Sequence, residues 1–273
     1  MATAFPNNLL TLASQGKVCR TLGIKFITSP EIIYIAHNAG FHALFIDLEH
    51  SALSLQTASH LCIAALNASL SPFVRVPAGA GPGTIQRVLD CGAMGVVVPH
   101  VDTVEQAQAA VSATKYPPIG KRSITSILPH LGFQKAPIET ISTLVNSRLS
   151  TVIVMIESPE GVSNIDEIAA LEGVDVVLVG TNDLSVELGV AGDFEHEVFV
   201  KSMERIAAGV KRAGKILGVA GVYHRGDLLE GYVRGLGARF VVGDVDLGMV
   251  ARAAGEVVRG LKRIEGGDTD AVN

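Results

Sequence analysis

Three ionisable residues crowd the end of one apolar run. In HALFIDLEHS, Asp47, Glu49 and His50 fall within four positions. An imidazole titrates near neutrality and suits proton transfer at physiological pH, so His50 is a candidate base. It is also one of eight histidines, most of which are ordinary core or surface residues. A second apolar run, PFVRVP, contains Arg75. A buried guanidinium needs an anion, here either a structural aspartate or a substrate carboxylate. The run TVIVMIE ends in Glu157, and VDVVLVG is followed by Thr181, Asn182 and Asp183. Glu157 and Asp183 are 26 residues apart, the length of one strand-helix repeat. Adjacent repeats would set the two carboxylates side by side, where they repel unless a cation sits between them. A divalent ion with oxygen ligands resolves this, and Mg²⁺ takes one or two carboxylates while leaving positions for water and substrate. The competing reading is that each carboxylate caps the helix that follows it.

These residues need elements to bring them together. Eight apolar runs recur along the chain: KVCRTLGI, HALFID, PFVRVP, GVVVPHV, TVIVMIE, VDVVLVG, ILGVAGV and RFVVGD. They are apolar almost throughout, as parallel strands covered on both faces are. Between them lie helix-like stretches such as SPEIIYIAHNAG, TVEQAQAAVSAT and DLLEGYVRGLG, several opening on Ser, Thr or Asp and closing on Gly. Eight such units in a chain of 273 residues predict an α/β fold, a (β/α)₈ TIM barrel. A doubly wound open sheet is the alternative, but KFITSPE after the first run is not a dinucleotide loop. AGAGPGT lacks the Lys-Ser/Thr ending of a P-loop. In a barrel the strand C-termini face the active site, so the polar residues above would meet there. The seventh run ends near Tyr223 and His224, and the eighth near Asp244 and Asp246. The irregular stretch Tyr116–Pro137, which contains Arg122, is read as either a lid over the mouth or a surface excursion. Arg122 itself could be a solvated loop charge.

Composition narrows the class. Apolar residues make up 48% and charged residues 18%, enough for a large core. The net charge of −5 without a basic cluster argues against nucleic acid as a partner. No apolar run is long enough for a bilayer, and the N-terminus lacks the basic and apolar regions of a leader. Cys19, Cys62 and Cys91 show no metal or disulfide spacing and read as buried thiols in a reducing, cytoplasmic setting. One domain spans residues 1–273, and EGGDTDAVN reads as a disordered tail at 265–273.

IDLEH, VRVP, LDCGAMGVVVPHV, YPPIGKR, MIES and GTNDLS occur in this order. This ordered set resembles the HpcH/HpaI family of class II pyruvate aldolases, over residues 17–261. The resemblance implies a TIM barrel of the phosphoenolpyruvate/pyruvate type. It implies a homohexamer, a trimer of dimers, with the last helix exchanged between subunits. It further implies a lyase that cleaves a 4-hydroxy-2-oxo acid to pyruvate and an aldehyde through a pyruvate enolate held on Mg²⁺, Mn²⁺ or Co²⁺. By the same resemblance Glu157 and Asp183 are the metal ligands, and Arg75 contacts the C2 oxygen. His50 is the base with Asp90 as its partner. Backbone N–H groups of Thr181, Asn182 and Asp183 hold the substrate carboxylate. Asp47 and Glu49 position His50 and its water, with Arg122 as a supporting residue. The sequence departs from the family pattern at Met155, where Gln is common, at Ser123 and at His100. Two alternatives share the barrel. One is an oxaloacetate decarboxylase, or a macrophomate-synthase-like enzyme that forms C–C bonds from the same enolate. The other is a catalytically silent barrel that binds an α-oxo acid.

Overall fold

Period-two alternation along eight short strands builds the molecule. In the computed structural model, which describes residues 4–265, the strands are β1 (Cys19–Ile24), β2 (Ala43–Asp47), β3 (Ser71–Arg75) and β4 (Gly95–Val98). They continue as β5 (Thr151–Ile156), β6 (Val176–Gly180), β7 (Ile216–Ala220) and β8 (Phe240–Val245). All pair in parallel and in sequence order, and β8 closes on β1. The expected (β/α)₈ barrel is therefore the observed one, and all eight apolar runs are its strands.

The strands read as uniformly apolar because both faces are buried, yet the two faces pack against different layers. Phe45, Phe73, Val97, Ile153, Met155, Leu178 and Phe240 point inward and fill the barrel. Phe73 and Phe240 meet edge to face with ring centroids 5.5 Å apart, the geometry aromatic quadrupoles favour. The alternate residues, such as Leu44, Ile46 and Val74 on one side and Val154, Val177 and Val179 on the other, pack against the outer helices. Each fully buried side chain of this size contributes about 1.5–3 kcal/mol.

Local chemistry sets the helix starts. Ser54 caps Leu55–Asn67 by accepting from Thr57 N–H. Thr103 and Gln106 form a reciprocal capping box before Val104–Thr114. The helix Asn8–Ser14 precedes the stretch that carries the family resemblance. It seals the N-terminal end of the barrel: Leu9 is fully buried, and Asn7 Nδ2 donates to Arg148 O and Thr151 Oγ1. The disordered tail expected at 265–273 lies outside the described residues from 266 onward. Cys19 and Cys62 are buried free thiols as expected, whereas Cys91 is only half-buried.

Candidate active site

Strand parity decides which side chains enter the mouth. On β2 the inward series is Ala43, Phe45, Asp47, and on β3 it is Phe73, Arg75. Asp47 and Arg75 are direct register partners, so an acid and a base face each other at the top of the core. Arg75 Nε donates to Asp47 Oδ1 at 2.9 Å and Nη2 to Oδ2 at 2.6 Å. Arg75 Nη1 lies 3.1 Å from Glu49 Oε2. Of the two partners left open for the buried arginine, the structural aspartate is thus present. Burial alone would raise the Asp47 carboxyl, but hydrogen bonds and charge from Arg75, with Lys25, hold it below its ordinary value. Asp47 Oδ1 also accepts the backbone N–H of Glu49 and His50. Asp47 and Glu49 therefore fix Arg75 first. Their hold on His50 is limited to its backbone and to a 3.8 Å approach of Nε2 to Glu49. The His50 side chain stands exposed at the rim.

The same parity carries Glu157 inward after Ile153 and Met155 on β5. The β5–β6 register runs Met155 to Leu178 and Ile156 to Val179, so Glu157 comes to lie beside Gly180. A Cβ on Gly180 would fall 2.3 Å from Glu157 Oε1, so only glycine leaves room for this carboxylate. Glu157 is 2% exposed, and its Oε2 accepts the His100 N–H at 3.0 Å. Burial raises its proton affinity, and the nearby charge of Asp183 adds to that; His100 and Arg75 pull the other way without reversing it. A buried carboxylate destabilised by a second one is the environment that a divalent cation relieves. The residues present therefore fit such an ion. Among the described residues no group of three or more His, Cys, Asp or Glu side chains converges, so two protein oxygens would leave the other positions to water and substrate.

One cavity of about 130 Å³ is lined by Lys25, His50, Arg75, Met155, Glu157, Thr181, Asn182, Asp183 and Tyr223. The structure thus gathers every expected metal, base and substrate residue except Asp90. Thr181 is buried and spends its hydroxyl on Ala220 O at 2.9 Å, which leaves backbone groups as its contribution. Met155 faces the cavity with a thioether that cannot donate a hydrogen bond.

Asp90 and Arg122 are elsewhere. Asp90 ends the helix Pro82–Asp90, which descends from β3 to the N-terminal end of the barrel, away from the mouth. There it accepts from Arg122 Nη2 at 2.6 Å, and Arg122 stacks over Tyr116 with Cζ 4.8 Å from the ring centroid. Within one chain Asp90 is not the partner of His50, because the topology puts them at opposite ends of the strands. Arg122 is 4% exposed, so it is not a solvated loop charge. The stretch Tyr116–Pro137 likewise packs under the barrel and does not cover the mouth of its own chain: His130 Nε2 meets Ala93 O at 2.8 Å, and Phe5 N–H donates to His130 O.

Four mouth residues escaped the assignment of roles from sequence. Lys25 follows Thr21 and Gly23 on the inward parity of β1, a signal the sequence contains. Tyr223 follows β7, with its phenol pushed up to about 12 chiefly by burial. His100 has φ of 52° and His224 has φ of 66°, a left-handed backbone that costs energy for residues with a Cβ and clusters at functional sites. Glu157 and Asp183 also wall a neighbouring cavity of about 470 Å³, with His100, Asp102, Glu160 and Glu187.

Comparison with known proteins agrees with this geometry. The profile of the HpcH/HpaI aldolase/citrate lyase family matches residues 26–253. The chain is 45% identical over 262 residues to 4-hydroxy-4-methyl-2-oxoglutarate aldolase tasA of Hapsidospora irregularis, covering 96% of this chain and 97% of that protein. It is 43% identical to 4-hydroxy-4-methyl-2-oxoglutarate aldolase cghB of Chaetomium globosum, covering 95% and 96%. Among solved structures, the HpcH/HpaI aldolase from Desulfitobacterium hafniense DCB-2 superposes with a TM-score of 0.87 at 28% identity, covering 95% of this chain and 97% of that one. A matched profile over most of the chain, close relatives over nearly its full length and a barrel with carboxylates at its mouth lead to one conclusion: the chain belongs to the HpcH/HpaI aldolase/citrate lyase family.

Proposed function

We propose that the protein is a divalent-metal-dependent carbon–carbon lyase that cleaves a 4-hydroxy-2-oxo acid to pyruvate and an aldehyde and runs the reverse addition. The observation that carries this reading is the shared cavity of Glu157, Asp183, Arg75 and His50. Glu157 and Asp183 would hold the ion; an all-oxygen pair suits Mg²⁺ first, then Mn²⁺ or Co²⁺. A bound cation would supply electrostatic stabilisation of charge developing on the 2-oxo group. Arg75, locked by Asp47 and Glu49, offers its remaining N–H donors to the same C2 oxygen, a preorganised contribution that grows as charge develops. Backbone N–H groups at Thr181–Asp183 orient the substrate carboxylate. His50 accepts the 4-hydroxyl proton. The C3–C4 bond breaks, C4 becomes the carbonyl of the aldehyde, and the electron pair leaves as the enolate of pyruvate, to whose C3 His50 returns the proton it took up, directly or through a water.

The same enolate would also arise from oxaloacetate by loss of CO₂, or be used to form another C–C bond as in a macrophomate-synthase-like enzyme. Met155, the wall residue without a donor, favours weighing a further reading, a catalytically silent barrel that binds an α-oxo acid. The deciding experiment follows pyruvate C3-proton exchange into D₂O, aldol turnover and oxaloacetate decarboxylation with Mg²⁺ present. Exchange with aldol turnover is expected, and His50→Gln should slow exchange by about 100-fold or more. Decarboxylation without aldol turnover would select the second reading. Metal and pyruvate binding with no exchange would select a silent oxo-acid-binding barrel. Calorimetry should show metal binding lost in Glu157→Ala and in Asp183→Ala; unchanged binding would remove the metal site.

The helix Asp246–Ile264 leaves Leu247, Val250, Val257, Val258, Leu261 and Ile264 exposed. This apolar stripe supports a homo-oligomer in which a second copy covers it, in line with the expected exchanged helix and hexamer. Any part Asp90 takes in the chemistry would be exercised on a second copy's site. No described helix is long and apolar enough to cross a membrane, and three free cysteines agree with a cytoplasmic setting.

A further inference from the structure

The enolate chemistry leaves one charged wall residue without a task. Lys25 Nζ stands 3.2 Å from Asp47 Oδ2, about a quarter exposed, in the same cavity as His50 and Arg75. Asp47 is already engaged by both ends of the Arg75 fork and by two backbone N–H groups. It is the one ion-pair partner of Lys25 among the described residues. An ammonium has three N–H donors, so at least two remain for a ligand. The backbone that carries Lys25 is fixed. Asp246, itself 1% exposed, accepts the N–H groups of Lys25, Phe26 and Ile27 at 2.9, 3.0 and 2.7 Å. Only the four-carbon stem is left to adjust. Tyr223 shares the cavity, and its raised phenol pKa keeps it an O–H donor at neutral pH. The other side of the mouth is acidic, with Asp102, Glu160 and Glu187 beyond Glu157 and Asp183. An anion is therefore repelled from that side and attracted to the Lys25 side, where His50 would meet the bond that is made or broken.

We propose that Lys25, with Tyr223 as a second donor, is the specificity residue that binds a carboxylate on the carbonyl partner, the kind of partner that cleavage of the 4-hydroxy-4-methyl-2-oxoglutarate named for two relatives would give. This rests on the enolate reading above and adds to it the specificity of the second substrate. The test measures kcat/KM for addition of pyruvate to glyoxylate and to acetaldehyde, which differ in carrying a carboxylate or a methyl group on the carbonyl. Lys25→Met should reduce the glyoxylate-to-acetaldehyde ratio by about 30-fold, the effect of losing a hydrogen bond to a charged group. Lys25→Arg should restore part of the ratio, and Lys25→Glu should lower it further. Structural damage would lower both rates together and leave the ratio unchanged; that result, or a ratio insensitive to all three substitutions, overturns the proposal. Absence of pyruvate proton exchange in the unmodified protein would instead overturn the enolate reading, and this one with it.

Discussion

At the scale of single residues, the mouth is a set of charges that hold one another in place. Arg75 can be buried because Asp47 and Glu49 neutralise it from the neighbouring strand end, and removing one partner of such a set costs several kcal/mol. Gly180 matters for a subtler reason. Its φ of −86° is open to any residue, so the need for glycine is spatial: a methyl group would sit 2.3 Å from Glu157 Oε1. Gly180→Ala should therefore push Glu157 out of position, weakening metal affinity by about 10-fold or more and costing about 1–3 kcal/mol in stability. Calorimetric metal titration and urea unfolding would check both, and wild-type affinity in the variant would contradict the packing argument.

At the scale of elements, the segment between the helix Val104–Thr114 and β5 is the instructive one. It reads as a long, basic, proline-bearing loop, features that suit a lid, yet it packs beneath the barrel. His130 within it is 1% exposed. Burial drives its pKa from 6.5 down to about 4, so the folded protein keeps it neutral where the unfolded chain takes up a proton. The associated stability is whole above pH 6.5 and drains away as pH falls toward 4. Between pH 7 and pH 5 the loss should be about 2 kcal/mol. His130→Gln should remove that part of the pH dependence in urea unfolding measured at the two values. An undiminished slope would mean that other groups carry the acid sensitivity.

At the scale of the whole molecule, the helix Asp246–Ile264 stands out because Asp246 is its one buried residue. Leu247, Val250, Val257, Val258, Leu261 and Ile264 recur at helical spacing and form a stripe left exposed by the described residues. Exposed apolar patches of this kind mark interfaces. Asp246 links this helix to the site, since the same carboxylate clamps the loop bearing Lys25. Val257→Glu with Leu261→Glu should lower the oligomeric mass seen by light scattering while the far-ultraviolet dichroism of the barrel persists. An unchanged mass would show that this face is not the interface.

The barrel was legible from sequence because its cause is local and repeated. Eight apolar runs doubly covered by helices leave few other ways to bury so much surface. The ordered motifs also placed His50, Arg75, Glu157 and Thr181–Asp183 at strand ends, and strand ends of a barrel share one mouth. Which residues touch was not legible, because touching depends on register and on where helices end. Register set Asp47 against Arg75 and Glu157 against Gly180. Parity on β1 turned Lys25 inward, a feature no motif flagged. The downward run of the helix Pro82–Asp90 carried Asp90 to the far end of the strands, into the hold of Arg122. The residue types declared the kind of chemistry; closure of the sheet chose their partners, because only a closed sheet turns distances along the chain into neighbours across a cavity.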